Sequence, residues 1–445
     1  MKAIGIDIGT TTISASVIEG ETKKVERTYT LENNSFINTE ATWSKIQDPQ
    51  IITAKTLKLL DSILETDQDI GVIGLTGQMH GIVYTDKKGK HVSPLYTWQD
   101  ECGNVKCFGK KSVCEILEEK YGVEAYAGYG LITHLFHSMT NQVPAGAENI
   151  CTIMDYMAMI LTGNQRPKIH SSNAAGMGLY DVKKKKFDIG LLNKMDLAQD
   201  ILPEVSDDFD VIGTYRQIPV CIAIGDNQAS FIGSVNEAED TILVNIGTGG
   251  QISMLSDTYY SIKGIEVRPL AVDKYLLVGS SLCGGRAYAV LERFFRTYSE
   301  AIGIKAIDHF KVMSQLLEAR DNSVQRLKVD TRFSGTRENP AKRGTIENIG
   351  MQNFTPAELV YGVLYGMAEE LHEMYMDIEK TTGKKVQKII ASGNGLRKNP
   401  GLQKIVGECF GMQLKMSSQE EEAACGAAMA GLIAINKITT LHIRN

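Results

Sequence analysis

The sequence predicts an α/β protein made of two duplicated domains that face each other across a cleft. Three observations predict it. One strand–turn–strand pattern occurs twice, about half a chain apart; short apolar strands alternate with longer stretches at helical spacing; and glycine-rich turns close several of the strands. A length of 445 residues suits two large domains, and a 43% hydrophobic share supplies their cores. The net charge of −6 speaks against nucleic acid or an anionic membrane as the main partner. At the N-terminus one Lys precedes a short apolar run already broken by Asp7, which is unlike a signal peptide. The late apolar run Ala423 to Ile435 falls well short of the ~20 residues that span a bilayer. The 8 Cys are scattered, so free thiols in a reducing, cytoplasmic setting are expected. Cys102, Cys107 and Cys114 cluster but offer no C-x-x-C pair and no His in register, which argues against zinc.

In chain order, residues Ala3 to Ser16 (A-I-G-I-D-I-G-T-T-T-I-S-A-S) read as a β-branched strand, a small-residue turn and a second strand. Ile70 to Leu75 is a short apolar strand ending in a glycine-rich turn. The run Lys183 to Lys186 reads as a solvated turn. Val220 to Ile224 is another strand, followed by Gly225-Asp226 and a helix. The polar segment from Gly233 to Asp240 marks the boundary between an N-terminal domain, residues 1–236, and a C-terminal domain, residues 237–445. Thr241 to Leu255 then repeats the opening pattern, with Asn245 in the place of Asp7. Thr355 to Thr381 has apolar residues at helical spacing, Pro356 in the first turn and Gly383 just past the end. Val386 to Ala391 is a buried strand leading into Ser392-Gly393-Asn394-Gly395, and the small residues from Ala423 to Gly431 imply close helix packing.

A turn rich in Gly, Thr and Ser presents backbone N–H groups on one concave surface, which suits phosphate oxygens. Gly9, Thr10, Thr11 and Thr12 in the first copy and Gly247, Thr248 and Gly249 in the second are therefore nucleotide-binding candidates, although each taken singly also reads as a plain hairpin turn. Their duplication, with Asp7 at the end of a strand, favours a nucleotide and Mg²⁺. Neither G-x-x-x-x-G-K-[ST] nor a strand-to-helix G-x-G-x-x-G occurs. Gly393 and Asn394 form a third turn that could let an adenine pass close to the backbone. Asp226 stands at the carboxyl end of a strand, where open α/β sheets bind ligands, and is the candidate catalytic base and second metal ligand; a helix cap is its structural alternative. Asn227 adds an amide beside it. Gln78, Met79 and His80 end one strand, and Trp98 to Asp100 combine a flat ring with hydrogen-bonding groups, a mixture that suits a polyol. Alone, His80 reads as a hydrogen-bonded structural residue and Trp98 as core. His134-x-x-His137 lacks an acidic partner in motif spacing.

Taken together and in this order, these motifs resemble the FGGY carbohydrate kinases, and the likeness runs from the first hairpin almost to the C-terminus. The resemblance implies two ribonuclease-H-like domains of the actin-like ATPase kind. Asp7 to Thr12 looks like the family's first phosphate motif, Gly247 to Gln251 like its second, and Ser392 to Gly395 like its adenosine motif. Gly225 to Gln228 resembles the segment supplying the catalytic aspartate. Gly335-Thr336-Arg337-Glu338-Asn339-Pro340 with Arg343-Gly344 looks like the G-x-R-x-x-P…R-G stretch. Gly77 to Gly81 is similar to the ketose and xylulose kinase pattern. Thr97 to Asp100, Asp155-Tyr156, Arg166-Pro167 and Ser172 to Ala175 look like the sedoheptulose-phosphorylating branch. The chain departs from the pattern in having Glu101-Cys102-Gly103, and no Arg, just after Asp100. The implied activity is transfer of the ATP γ-phosphoryl to a primary hydroxyl of a ketose, sedoheptulose first and xylulose second, with ATP and Mg²⁺ as cofactors. Sugar and ATP are the expected partners, with no nucleic acid and no membrane; a homodimer is left open. Two further readings use the same fold: an actin-like ATPase that drives a protein partner, and a catalytically silent sugar sensor.

Overall fold

The computed structural model describes residues 1–235, 238–336, 339 and 341–437. Asn236 and Glu237, where the expected domain boundary falls, lie outside those residues, as do Arg337, Glu338 and Pro340 of the G-x-R-x-x-P stretch.

Each half is organised around one mixed sheet, and the two sheets are wired alike. In the first half the hairpin strands Lys2–Ile8 and Thr12–Glu19 run antiparallel, and Val25–Glu32 extends them antiparallel on one side. On the other side Lys2–Ile8 takes Ile70–Gly77 as a parallel neighbour. In the second half Thr241–Ile246 and Gly250–Ser256 form the hairpin, Lys274–Ser281 extends it antiparallel, and Lys388–Ser392 is the parallel neighbour. The central strands read as continuous apolar runs because both of their faces are covered. Asp7 pairs with Ser14 and Asn245 with Gln251, each one residue before the end of its hairpin's first strand. The duplication expected from sequence is therefore a duplication of topology, of the actin-like ATPase kind.

The single strand expected over Val220 to Ile224 is broken. Ile218–Cys221 and Ile224–Gly225 pair separately with Ile70–Gly77. Between them the Ile222 N–H donates to Asp210 O at 2.8 Å, and Ala223 O accepts from Asn173 Nδ2 at 3.0 Å, so these groups leave the ladder for partners outside it. The long helix Pro356–Thr382 begins and ends as its sequence signals require: Thr355 caps it, and Gly383 follows in the left-handed region at φ 68°.

The small-residue helix Glu422–Ala434, although late in the chain, packs on the N-terminal sheet and on the helix Asp226–Ser234. Glycines make the approach. A Cβ on Gly5 would sit 1.9 Å from Ala424 O, one on Gly74 1.8 Å from Ala427 O, and one on Gly426 1.8 Å from Ala229 O. No larger residue fits at any of these positions, and the contact ties the two halves together behind the cleft. The lysine run does form a turn, but Lys185 is only partly exposed and pairs with Asp207 at 3.5 Å and Asp273 at 3.2 Å. Among the described residues, no helix is long and apolar enough to cross a membrane.

Candidate active site

A cavity of about 530 Å³ opens between the halves. The N-terminal wall carries Asp7, Gly9, Thr10, Gln78, Met79, His80, Trp98, Asp226 and Asn227; Asn245, Gln251 and Arg268 face them from the C-terminal half. Most of the expected site is thus gathered in one place.

The first turn is held from beneath by amides. Asn33 Nδ2 donates to Gly9 O at 2.8 Å and Gln47 Nε2 to Thr10 O at 2.8 Å. Gln78 Nε2 donates to Gln47 Oε1 at 2.8 Å, and its Oε1 accepts from Thr10 Oγ1 at 3.3 Å. Trp98 Nε1 donates to the same hydroxyl at 3.0 Å. With its carbonyls tied inward, the turn is rigid on the protein side; Thr11 and Thr12 are exposed. Trp98 is 47% exposed, so its ring forms cavity wall and not core.

Asp7 and Asp226 are the charged pair of the site. Burial, then the nearby Asp226 and Glu421 carboxylates, push the Asp7 carboxyl up to about 7. Asp226 is also raised by burial, while Arg268 and the Asn227 backbone N–H pull it back. Asp226 is the first residue of the helix Asp226–Ser234, whose cap position is taken by Gly225. The helix-cap alternative does not describe it. Asn227 donates from Nδ2 to Gln251 Oε1 at 2.7 Å, a bond from one half to the other.

His80 sits at φ 77° and stacks on Tyr129 with ring centroids 4.4 Å apart. Its Nδ1 lies 2.7 Å from Gly176 O; a carbonyl only accepts, so Nδ1 carries the proton. Asp100 does not reach the cavity. Its oxygens accept from the backbone N–H groups of Lys45 and Cys102, both at 3.0 Å, and so brace the loop that presents Trp98. His134 and His137 both meet the Tyr84 hydroxyl, at 2.9 and 3.1 Å, in a buried structural cluster.

The second turn is held differently. Gly285 N–H donates to Gly247 O at 2.9 Å and Arg286 N–H to Thr248 O at 3.0 Å, so the start of the helix Gly284–Ala301 caps it. Asn245 Nδ2 donates to Ser392 Oγ at 2.7 Å. Gly393 has φ 86°, and a Cβ there would lie 2.6 Å from Ile246 O, so the third turn lies directly against the end of the first strand of the second hairpin. Beside it an apolar pocket of about 300 Å³ is lined by Gly285, Tyr288, Phe310, Met367, Gly395 and Leu402, with Asn394 at its edge.

Arg268, Asn33, Gln47, Tyr129 and the pocket rings Tyr288 and Phe310 were not legible as site residues. The turn Ser392 to Gly395 pointed toward this pocket, and the Gly284-Gly285 pair opening a helix is a further sequence signal that could have marked it. Of the G-x-R-x-x-P…R-G stretch, the described residues Gly335, Thr336, Arg343 and Gly344 do not line either pocket. Among the described residues, no group of three or more His, Cys, Asp or Glu side chains is gathered to hold a metal.

Comparison with known proteins gives two matches along the chain. The FGGY family of carbohydrate kinases matches through its N-terminal domain over residues 2–233 and its C-terminal domain over residues 243–435. The chain is 23% identical to a sedoheptulokinase of Mus musculus, covering 96% of this chain and 97% of that protein. It is 25% identical to a xylulose kinase of Staphylococcus xylosus, covering 96% and 89%. Among solved structures, a xylulose kinase from Rhodospirillum rubrum superposes with a TM-score of 0.83 at 19% identity, covering 100% of this chain and 91% of that one.

Proposed function

The chain belongs to the FGGY family of carbohydrate kinases, and on that footing we propose that it transfers the γ-phosphoryl of ATP to a primary hydroxyl of an open-chain ketose, with sedoheptulose as first candidate. One observation carries the reading. Asp226 is not the cap residue of its helix, and it shares a single cleft with Asp7, both phosphate-type turns' strand ends and a wall of Gln78, Met79, His80 and Trp98. In this reading residues 1–236 hold the sugar and the first phosphate turn, and residues 237–445 hold the nucleotide.

The residues present fit both cofactors. Asp7 and Asp226 are hard oxygen donors, and Asp226 is close enough to disfavour the Asp7 charge, a repulsion that a divalent cation would relieve. The apolar pocket beside Gly395 offers the rings of Tyr288 and Phe310 for a purine, next to the glycine turn that suits its phosphates. Bound Mg²⁺ would neutralise phosphate charge. Asp226 would then orient the sugar hydroxyl and accept its proton; in a loose phosphoryl transition state positioning counts for more than basicity. His80, with Nδ1 protonated, can accept a sugar hydroxyl at Nε2, and Trp98 offers a flat face for C–H groups. Asn227 and Gln251 link the halves across the cavity, so domain closure would order the sugar wall and exclude water together.

A coupled ADP-release assay over a ketose panel tests this. Sugar-dependent release, strongest with sedoheptulose, supports the reading; strongest release with xylulose or another pentulose would move the substrate but keep the reaction. ADP release independent of any sugar would favour an actin-like ATPase, and sugar binding with no release would favour a silent sensor.

A further inference from the structure

Arg268 is the one cationic side chain among the described residues lining the catalytic cavity, and the proposed reaction does not yet use it. It lies on the strand Ile265–Ala271 of the C-terminal half, facing Asp226 and Tyr129 of the other half, and its side chain is 15% exposed. Burial lowers its proton affinity, and the Tyr129 and Asp226 groups oppose that loss. It does not approach alone. Glu266, two residues earlier on the same face of the strand, accepts from Arg268 Nε at 3.0 Å and from Nη2 at 2.7 Å.

We propose that Arg268, oriented and charge-balanced by Glu266, is a substrate-binding residue that makes the cavity selective for neutral polyhydroxy ketoses over sugar acids. This rests on the sugar-kinase reading above. A guanidinium has donors and no acceptor; with Nε and one Nη2 hydrogen given to Glu266, both Nη1 hydrogens and one on Nη2 remain for a ligand. The oxygens of a ketose, carbonyl or hydroxyl, are the acceptors that match them. Because the pair Arg268–Glu266 sums to no net charge, it does not call for an anionic substrate. The remaining fixed charges of the cavity, Asp7 and Asp226, would repel a carboxylate. Removing the Glu266 charge therefore exposes a guanidinium able to take a carboxylate in a two-pronged geometry. As Arg268 belongs to the C-terminal half and the other sugar-facing groups to the N-terminal half, its contact with the sugar would also depend on the cleft being closed.

The experiment measures kcat and KM of the full chain and of Arg268→Gln, Arg268→Lys and Glu266→Gln with sedoheptulose, xylulose and gluconate at saturating MgATP. ADP binding serves as the control for folding. Arg268→Gln is expected to raise ketose KM by at least ~10-fold, with Arg268→Lys intermediate because an ammonium lacks the planar fork. Glu266→Gln is expected to raise the ratio of gluconate to ketose kcat/KM by at least ~10-fold, a change in preference that a merely structural role would not give. Ketose KM in Arg268→Gln within about twofold of the parent, or an unchanged preference in Glu266→Gln, would overturn the proposal. If Arg268→Gln fails to bind ADP, the preference of Glu266→Gln decides. A parent protein that phosphorylates no ketose would remove the sugar-kinase reading itself, whereas ketose activity with indifferent variants would remove only the role of Arg268.

Discussion

Asp7 and Asn245 occupy the same place in the same hairpin, and the two turns that follow them are built in opposite ways. The first turn is braced by side-chain amides, Asn33 on Gly9 O and Gln47 on Thr10 O, and its Asp7 stands within range of Asp226. The second is braced by backbone, the first N–H groups of a helix at Gly285 and Arg286, and the Asn245 amide is given to Ser392 Oγ. One turn thus carries a carboxylate into the cleft and the other carries none. Under the proposed function the duplicated backbone would supply two phosphate cradles and the side chains would divide the labour, cation and sugar on one side and purine on the other.

The contrast extends through the halves. The N-terminal half buries three neutral imidazoles, His134, His137 and His170, each pushed down to about 4, chiefly by burial. Their folded-state values lie below the ordinary 6.5, so the unfolded chain binds more protons between those limits, and stability present above about pH 6.5 is lost as pH falls toward 4. At pH 5 the loss is on the order of 2 kcal/mol per imidazole. Asp7 and Asp155 of the same half, both raised to about 7 by burial, gain stability as pH falls and oppose this loss elsewhere in the half. Hydrogen exchange at pH 5 and pH 7, corrected for intrinsic rate, should therefore show a local loss of protection in the helix Gly130–Met139, which carries His134 and His137; an equal loss in the C-terminal sheet would break the contrast.

Next in size, Asp7→Asn should lower sugar-dependent kcat by on the order of 10²-fold, while Asn245→Asp, which adds a charge to the purine side, should weaken ADP binding by about tenfold with less effect on kcat. Equal effects of the two substitutions on both quantities would mean that the turns do not divide the work. A smaller effect is expected from Gly393→Ala, where a positive φ and the nearby Ile246 carbonyl resist a side chain. Its cost is about 1–3 kcal/mol, read as a lower Tm, together with weaker ADP binding and an unchanged sugar KM. A raised sugar KM there would assign the third turn to the wrong ligand.

Much of this was legible because it is local. The hairpins, the glycine turns and the strand-to-helix step at Gly225-Asp226 are runs of neighbouring residues, and backbone geometry follows from neighbouring residue types. The resemblance of the ordered set then gave the family. Side-chain direction was not local: Asp100 reads like a cavity group next to Trp98, yet it turns inward to the Lys45 and Cys102 amides. Asn33, Gln47 and Arg268 reach the site from segments whose spacing to it in sequence carries no pattern, and Tyr288 and Phe310 meet only because two helices pack. The break at Ile222 and Ala223 was hidden for the same reason, since its partners Asp210 and Asn173 lie elsewhere in the chain.

The account rests most directly on Asp226 as the group that orients the sugar hydroxyl. Steady-state turnover of Asp226→Ala with sedoheptulose and MgATP, set beside its ADP affinity, tests it. The expected result is a fall in kcat of at least ~10³-fold with ADP bound as tightly as by the parent; near-parental turnover in that variant would contradict it.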